Sequence, residues 1–443
     1  MNTKETLPLN QKQARTSPDW LLEGVFYQIN LRAFTPEGTL KAALAHLPRL
    51  AELGVTILYL CPVSVSDDHP DRNFWSPRQI KSGMDNPRNP YRIKDYYNID
   101  PEYGTAEDYR RFVDEAHALG MRVMQDVVYL HCGPGAVFIE KHPDFVQREA
   151  DGSIRNAAWK FPALNFDNPG LREYLWANME WFVREFDVDG FRTDVSDAIP
   201  LEFWEEARLR LEVLKPDVAM LSEGTRKEDQ LRAFDINYLG FGNAHQIWSS
   251  ASALRKLWEE RRAERPVGGS KFIWFFDNHD IANDDYENRV DKRWSDAHVR
   301  AALVLAFTLD GAPFLYNGQE VADTARHSIF GRLPVDWAAG GTPRGKARTE
   351  LCRRLCRMRR DTKALTHGTL EWVDNDMPEE LATFIRTLGD TRILVAINLS
   401  EHRVESRLNI EGVPGTPLVE SGCAEIGQRI ALEGYGYWVG EMQ

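Results

Sequence analysis

Apolar residues alternate between two patterns over the first three hundred positions. Short runs rich in β-branched and aromatic residues predict buried strands over 24–31, 55–62, 121–128, 188–195, 218–223, 234–240, 271–277 and 312–318. Between most of these runs, apolar positions three and four apart predict amphipathic helices, most clearly over 40–53, 106–119, 171–186 and 296–309.

Eight predicted strands alternating with helices favour an α/β fold, a (β/α)8 TIM barrel with a parallel sheet. An open doubly wound sheet is the alternative, but no G-x-G-x-x-G or phosphate-binding loop follows any strand. Two connections, about 62–104 and 132–169, are too long for plain strand-to-helix loops. Both follow strand carboxyl ends, where a barrel builds its active site.

The domain organisation follows from these patterns. After about residue 364 the chain changes to short strands separated by turn residues, which predicts an antiparallel β-domain. We expect a first barrel segment with an N-terminal extension, a short inserted domain after the third strand, the rest of the barrel, and a C-terminal β-sandwich. Their predicted ranges are 1–131 (extension 1–23), 132–169, 170–363 and 364–443.

Charge and composition narrow the partners of this 443-residue chain. A net charge of −13 argues against nucleic acid, whose phosphates need a basic face. No apolar run is long enough to span a membrane, and the polar N-terminus lacks the apolar core of a signal peptide. Five scattered cysteines without zinc spacing are typical of a reduced compartment, so we expect a cytoplasmic protein.

The stretch GFRTDV places a cation and an anion on one face of a strand. Alternate side chains share a face, so Arg192 and Asp194 point one way while Phe191 and Thr193 point the other. A guanidinium close to a carboxylate favours its ionised form, which a nucleophile in a cleft requires. The alternative is an internal ion pair that fixes the register of the strand.

Further polar residues stand at the ends of other predicted strands. Glu223 follows an apolar run, where a raised pKa would suit a general acid. The stretch FFDNHD supplies His279 and Asp280, and DVVYLH supplies Asp126 and His131. Each could singly be a helix cap, a turn residue or a structural histidine. Together they gather at the carboxyl ends of barrel strands, where catalytic residues of such barrels lie.

A pair of carboxylates flanking a bond is the apparatus of glycoside hydrolysis. At these residues the chain resembles glycoside hydrolase family 13, the α-amylase family, over nearly its whole length. The four motifs that carry this resemblance occur in order as DVVYLH, GFRTDV, EG at 223–224 and FFDNHD. Supporting matches include VFYQINLRAF, NPYRIKDYYNIDPEYGT and GAPFLYNGQE.

The resemblance implies a role for each of these residues. Asp194 would be the nucleophile, Glu223 the general acid and then base, and Asp280 the carboxylate that stabilises the transition state. Arg192 would orient Asp194. His131 and His279 would bind sugar hydroxyls, and the ring of Tyr91, four residues before Asp95, would stack under the sugar.

Departures from the family pattern change two expectations. Leu130 and Ala163 replace calcium ligands, and FTPEGTL replaces an acidic calcium-binding loop, so we expect no cofactor and no structural calcium. The Lys-His pair that α-amylases place after the nucleophile motif is replaced by SDAIP, Ser196 to Pro200, which argues against endo-hydrolysis of starch.

The sequence therefore predicts a retaining α-glycosidase that hydrolyses malto-oligosaccharides or related small α-glucosides. One alternative is a transglycosidase or a sucrose- or trehalose-type isomerase that uses the same residues. A more remote alternative is a carbohydrate-binding relative without catalysis, although all three carboxylates are kept. The sequence specifies neither the sugar and linkage nor an oligomeric state.

Overall fold

The structure, a computed structural model, describes residues 7–239, 246–269, 271–284, 286–287 and 289–443. Residues 1–6 of the predicted extension and Gly240, at the end of the predicted strand 234–240, lie outside the described residues.

The strands are β1 (Phe26–Ile29), β2 (Ile57–Leu60), β3 (Ser64–Asp67), β4 (Asn89–Ile99), β5 (Arg122–Val127), β6 (Gly190–Thr193), β7 (Ala219–Ser222), β8 (Ile236–Tyr238), β9 (Phe272–Trp274), β10 (Gly311–Tyr316), β11 (Thr369–Trp372), β12 (Leu381–Leu388), β13 (Thr391–Asn398), β14 (Val404–Arg407), β15 (Pro414–Glu425) and β16 (Arg429–Met442). The α-helices are α1 (Asp19–Leu22), α2 (Leu31–Phe34), α3 (Leu40–Leu44), α4 (Leu47–Leu53), α5 (Pro77–Lys81), α6 (Ala106–Ala118), α7 (Pro169–Phe186), α8 (Leu201–Leu214), α9 (Asp229–Arg232), α10 (Ala251–Ala263), α11 (His279–Asp284), α12 (Val290–Arg293), α13 (Asp296–Thr308), α14 (Pro343–Asp361) and α15 (Ala364–His367).

Eight parallel strands close into a barrel in the order β1-β10-β9-β8-β7-β6-β5-β2. Each lies within one of the predicted strand segments or overlaps it, which confirms the (β/α)8 barrel. One face of these strands fills the barrel interior with a cluster that includes Phe26, Ile57, Leu221 and Phe314. The other face packs on the surrounding helices, so the strands are buried on both sides and read as continuous apolar runs.

The helices begin at recognisable capping residues. Thr105 caps α6 in a reciprocal capping box with Asp108, and Asn168 accepts backbone N–H groups at the start of α7. The predicted helix 40–53 is interrupted between α3 and α4, because Pro48 lacks the backbone N–H that would continue it. Among the described residues, no helix is both long enough and apolar enough to cross a membrane.

The two long connections lie above the carboxyl ends of the barrel strands. The first contains the antiparallel pair β3–β4 and the short helix α5. The second, after β5, is held by isolated bridges such as His131–Ala163 and Val146–Leu164 and has two single 3-10 turns, Pro143–Phe145 and Ala158–Lys160. Asp67 joins the two connections, since its Oδ2 accepts the N–H of Gly135 at 2.7 Å.

The C-terminal strands form an antiparallel domain, as expected. Where the sequence predicts a β-sandwich, hydrogen bonds join β11 to β16 into one sheet in the order β11-β12-β13-β16-β14, with β15 also paired to β16. The long strand β16 pairs with β14 near its start and with β13 near its end, so a single strand links both parts of the sheet. This sheet carries its own apolar core, which includes Leu394, Leu432 and Trp438.

Candidate active site

The register of neighbouring strands brings charged side chains together inside the barrel. Asp126 on β5 lies directly beside Arg192 on β6. The strands can approach closely at the start of β6, because a Cβ at Gly190 would collide with the carbonyl of Ala219 on β7. Phe191 packs outward against the helices while Arg192 is fully buried, which confirms the alternation predicted for GFRTDV.

The Arg192 guanidinium connects three carboxylates. Its Nη1 donates to Asp126 Oδ1 at 2.8 Å and to Asp194 Oδ1 at 2.9 Å, and its Nη2 pairs with Glu223 Oε1. The rings of Tyr59 and Tyr238 flank the guanidinium at 5.9 Å and 5.8 Å from its central carbon. One buried cation thus fixes where Asp194 and Glu223 stand relative to each other.

The backbone after Asp194 turns sharply toward Glu223. Val195 adopts a left-handed conformation with φ 45° and ψ 45°, which is strained for a β-branched residue. Its N–H donates to Glu223 Oε2 at 2.9 Å. Burial, reinforced by the charges of Asp194 and Asp280, raises the pKa of Glu223 well above its ordinary value despite the opposing charge of Arg192. Glu223 therefore keeps its proton to a higher pH than an ordinary carboxyl group does.

Asp280 lies in the first turn of α11 and lines the same cavity as Glu223. Burial alone would raise the pKa of Asp280, but the charges of the Arg78 and Arg192 guanidinium groups lower it below its ordinary value. In the pH range between these two pKa values, Asp280 is ionised and Glu223 is protonated. Environments that separate two carboxyl groups in this way assign them different tasks in acid–base chemistry.

Tyr91 and His279 form one stacked and hydrogen-bonded unit. Their rings are parallel to within 12° at 5.2 Å, and Tyr91 Oη lies 2.6 Å from His279 Nε2 and 2.8 Å from Asp126 Oδ2. Gln28 Nε2 donates to His279 Nδ1 at 2.8 Å, so the ring proton is on Nε2. Burial lowers the pKa of His279 to about 4, which keeps it neutral.

His131 presents one free ring nitrogen. Its Nε2 donates to the carbonyl of Tyr91 at 2.7 Å, so its Nδ1 carries no proton and can only accept. That Nδ1 is buried and has no hydrogen-bond partner among the residues that the structure describes. Burial lowers the pKa of His131, which keeps the ring neutral. A buried acceptor in a cavity wall suits a hydroxyl donor.

These side chains surround a cavity of about 280 Å³ at the carboxyl end of the barrel. Five of the seven sequence-predicted site residues line it, and Arg192 and His279 lie behind them. Both ring nitrogens of His279 already have partners, so a sugar hydroxyl would have to share Nε2 with Tyr91. The complete lining is Ser76, Arg78, Asn89, Tyr91, His131, Trp159, Phe161, Asp194, Val195, Glu223, Asp280, Ile329 and Phe330.

Sequence reasoning missed the residues that the two long connections bring to this cavity. Arg78 on α5 donates to Asp280 at 2.6 Å, and Trp159 stands at the rim with 37% of its surface exposed. The Ser76-Pro77 pair, a helix cap followed by proline at the first helical position, marked a helix inside the first connection. The sequence did not indicate which side of that helix would face the cavity.

No group of three or more His, Cys, Asp or Glu side chains suited to holding a metal ion occurs in the described ranges. At the positions where the family resemblance would place calcium ligands, Leu130 is partly buried and Ala163 pairs with His131 through its backbone. Neither side chain carries an oxygen that calcium could use.

Comparison with known proteins agrees with this geometry. The family model described as the α-amylase catalytic domain matches residues 10–151 and 150–367. The chain is 27% identical over 454 residues to neopullulanase 2 of Thermoactinomyces vulgaris, covering 88% of this chain and 72% of that protein. It is 26% identical over 449 residues to an intracellular maltogenic amylase of Bacillus subtilis, covering 89% and 72%.

Solved structures give the same result. A noncanonic maltogenic α-amylase from Thermotoga neapolitana superposes with a TM-score of 0.81 at 25% identity, over 95% of this chain and 99% of that one. A cyclic α-maltosyl-(1→6)-maltose hydrolase from Arthrobacter globiformis, at 21% identity and a TM-score of 0.74, shares the fold over 96% and 99%. The family model covers well over half of the sequence, and the chain belongs to the α-amylase family of glycoside hydrolases.

Proposed function

We propose that this protein is a retaining α-glycosidase that hydrolyses α-glucosidic bonds of malto-oligosaccharides or related small α-glucosides. The observation that carries the proposal is the Arg192 guanidinium, which contacts both Asp194 and Glu223. Two carboxyl groups joined by one guanidinium stand close together. Close spacing favours direct attack by one carboxylate, whereas inverting enzymes need room for a water molecule between substrate and base.

The reaction proceeds by two displacements at the anomeric carbon. Glu223 donates its proton to the glycosidic oxygen while Asp194 forms a bond to the anomeric carbon, and the leaving group departs as an alcohol. Glu223, now ionised, takes a proton from water, whose oxygen attacks the anomeric carbon and releases Asp194. Two inversions retain the α configuration. Asp280 stabilises positive charge at the reacting carbon and accepts hydrogen bonds from neighbouring hydroxyls.

The remaining residues position the sugar. Tyr91, with its ring held flat against His279, provides a rigid face on which the sugar ring stacks. His131 Nδ1 accepts a hydrogen bond from a hydroxyl. Since both nitrogens of His279 are occupied, we infer that His279 acts mainly by orienting Tyr91 and yields Nε2 to a hydroxyl only when Tyr91 shifts.

The substrate class rests on the relatives and on the cavity. Relatives bear names such as neopullulanase, cyclomaltodextrinase and maltogenic amylase. A cavity of about 280 Å³ is near the lower end of the range for small-molecule sites, so it favours short substrates.

We also propose a cytoplasmic location, because one relative is an intracellular enzyme and Cys61, Cys132, Cys352 and Cys356 are buried free thiols.

We further propose that the fold requires no structural calcium. The side chains of Leu130 and Ala163 cannot coordinate a metal. A buried guanidinium instead reaches the junction of the two long connections, since Arg92 Nη2 lies 3.2 Å from Asp67 Oδ1 and Asp67 Oδ2 accepts the N–H of Gly135. Arg92 Nη1 pairs with the carbonyl of Phe74, and its Nη2 donates to the carbonyls of Asp67 and Pro87 at 3.1 Å and 2.8 Å. A fixed cation among carbonyl oxygens can serve there in place of an ion.

Transfer to a second sugar is the other candidate outcome of the same chemistry. Phe161, Ile329 and Phe330, all buried, line the cavity together with the exposed ring of Trp159. Such walls favour a sugar acceptor over water at the glycosyl-enzyme stage, because a sugar ring can pack on them and water cannot.

The test is product analysis on a panel of α-glucosides and malto-oligosaccharides, with and without an added sugar acceptor. Proton NMR during the first minutes should show the α anomer released first. Release of the β anomer would overturn the retaining mechanism. Products longer than the substrate that increase with acceptor concentration would support transfer.

A further inference from the structure

We propose that Arg78 is a positioning residue that keeps Asp280 ionised and correctly aimed, so that the reaction depends on the long connection between β2 and α6. This inference rests on the proposed role of Asp280. Arg78 lies outside the barrel, on α5, and belongs to none of the motifs on which the family resemblance rests.

The guanidinium of Arg78 contacts two carboxylates on helix α11. Its Nη1 donates to Asp280 Oδ1 at 2.6 Å. Its Nε lies 2.8 Å from Asp284 Oδ1, and its Nη2 donates to Asp284 Oδ2 at 3.0 Å. The Nε–Nη2 edge therefore forms a two-point fork on Asp284, and Nη1 is left to contact Asp280.

The fork on Asp284 anchors the guanidinium independently of Asp280. When a sugar hydroxyl takes Asp280 Oδ1, Arg78 can remain in place through Asp284 and keep its charge beside Asp280. A Lys at this position would provide a single point of charge and could not make the fork.

Charge balance explains why Asp280 needs this partner. Asp280 and Asp284 contact the same guanidinium, so without it two carboxylates one helical turn apart would repel each other. One of them would then retain a proton at higher pH. The titratable and charged groups that face Asp280 are Arg78, Arg192, His279, Glu223, Asp284, Cys61, Tyr238 and Tyr286.

Contacts other than those of the Arg78 side chain hold α5 in its helical form. Ser76 caps α5 by accepting the N–H of Gln79 at 3.1 Å, and the Gln79 amide donates to the carbonyl of Asn86 at 2.9 Å. The Arg78 and Asp280 side chains are 41% and 30% exposed. Removal of the guanidinium should therefore leave α5 folded.

The experiment measures kcat/KM against pH for the full chain with an aryl α-glucoside that the wild type cleaves. We expect Arg78→Ala to lower kcat roughly 10-fold or more and to move the acid limb upward by about 0.5 to 1 pH unit. In Arg78→Lys, the acid limb should lie close to its wild-type position, because the charge is kept. The value of kcat should recover less, because the fork on Asp284 is lost. Arg78→Ala combined with Asp284→Asn should move the limb back down, because the repelling carboxylate is removed.

Arg72→Ala is the matched control in the same connection. Arg72 pairs with Asp85 at 3.0 Å, and both side chains are largely exposed at 68% and 88%. This variant should leave the pH profile unchanged. Thermal melting of every variant verifies folding.

Asp280→Asn separates the two claims. If Asp280→Asn is inactive while Arg78→Ala keeps the wild-type acid limb and kcat, the inference about Arg78 is overturned and the proposed function stands. If Asp280→Asn retains full activity, the role given to Asp280 fails, and the proposal for Arg78 fails with it.

Discussion

The backbone N–H of Val195 donates a 2.9 Å hydrogen bond to Glu223 Oε2, which ties the turn after β6 to the end of β7. Val195 directly follows Asp194, so the same turn that presents the proposed nucleophile also fixes the proposed acid. The left-handed conformation of Val195 costs on the order of 1–3 kcal/mol. Strain at this position is the consequence of aiming two carboxyl groups into one cavity.

Replacing the proposed nucleophile should abolish turnover without unfolding the protein. Asp194→Asn keeps the shape of the side chain but removes the charge that attacks the anomeric carbon, so kcat should fall by at least about 1,000-fold. Steady-state assays with an aryl α-glucoside measure the loss, and circular dichroism verifies the fold. Asp114→Asn, at an exposed position on α6, is the control. Wild-type kcat in Asp194→Asn would contradict the assignment.

Replacing the proposed acid should make the enzyme sensitive to the leaving group. Glu223→Gln cannot donate a proton, so activity on oligosaccharides should fall steeply while α-glucosyl fluoride, which needs no protonation to depart, still forms the glycosyl-enzyme. Because the raised pKa of Glu223 sets the loss of activity at high pH, the alkaline limb should disappear in this variant. Equal losses on both substrates would argue against the acid role.

Trp159 should matter for long substrates and little for small ones. Its ring is partly exposed at the cavity rim, and its backbone has the uncommon φ of 62°. Trp159→Ala should lower kcat/KM for malto-oligosaccharides about 10-fold, which corresponds to roughly 1.4 kcal/mol of lost stacking, and change an aryl glucoside less. A Trp159→Phe variant should recover much of the loss. Equal effects on both substrates would instead indicate a general disturbance of the site.

Removal of metal ions by a chelator should change neither the thermal stability nor the activity of the protein. If Arg92 occupies the junction that an ion would otherwise fill, dialysis against EDTA should alter neither the melting temperature nor kcat. Differential scanning calorimetry with and without added calcium measures this directly. A melting temperature that rises by several degrees with calcium would overturn the proposal.

The contribution of the buried, neutral His327 to the free energy of unfolding should depend on pH. Burial and the charge of Arg289 lower its pKa to about 4, although Asp323 lies 3.0 Å from its Nε2 and Tyr316 Oη lies 3.2 Å from its Nδ1. The unfolded chain therefore binds a proton between about pH 6.5 and pH 4 that the folded chain does not, so His327 costs stability as pH falls.

His327→Gln removes that titration. The free energy of unfolding lost in this variant should be smaller at pH 5 than at pH 7, by roughly 2 kcal/mol. Urea unfolding of wild type and variant at both pH values measures the difference. A loss that is the same at both pH values would show that His327 does not titrate differently in the folded and unfolded states.

Local sequence determined the architecture and the position of the proposed chemistry along the chain. Apolar runs buried on both faces identified the eight barrel strands, and period-two alternation placed Arg192 and Asp194 on one face. The carboxyl ends of parallel strands meet at one end of a barrel, so Glu223, Asp280 and His131 could be predicted to converge with them.

The tertiary structure decided what surrounds those residues. Arg78 and Trp159 stand on long connections with little apolar periodicity, so their direction follows from contacts with distant residues such as Asp280 and not from local propensity. The partners of His279 also required the fold, because Gln28 is 251 positions away in the chain. The same holds for the raised pKa of Glu223, since burial and the distances to charged neighbours exist only after the barrel has closed.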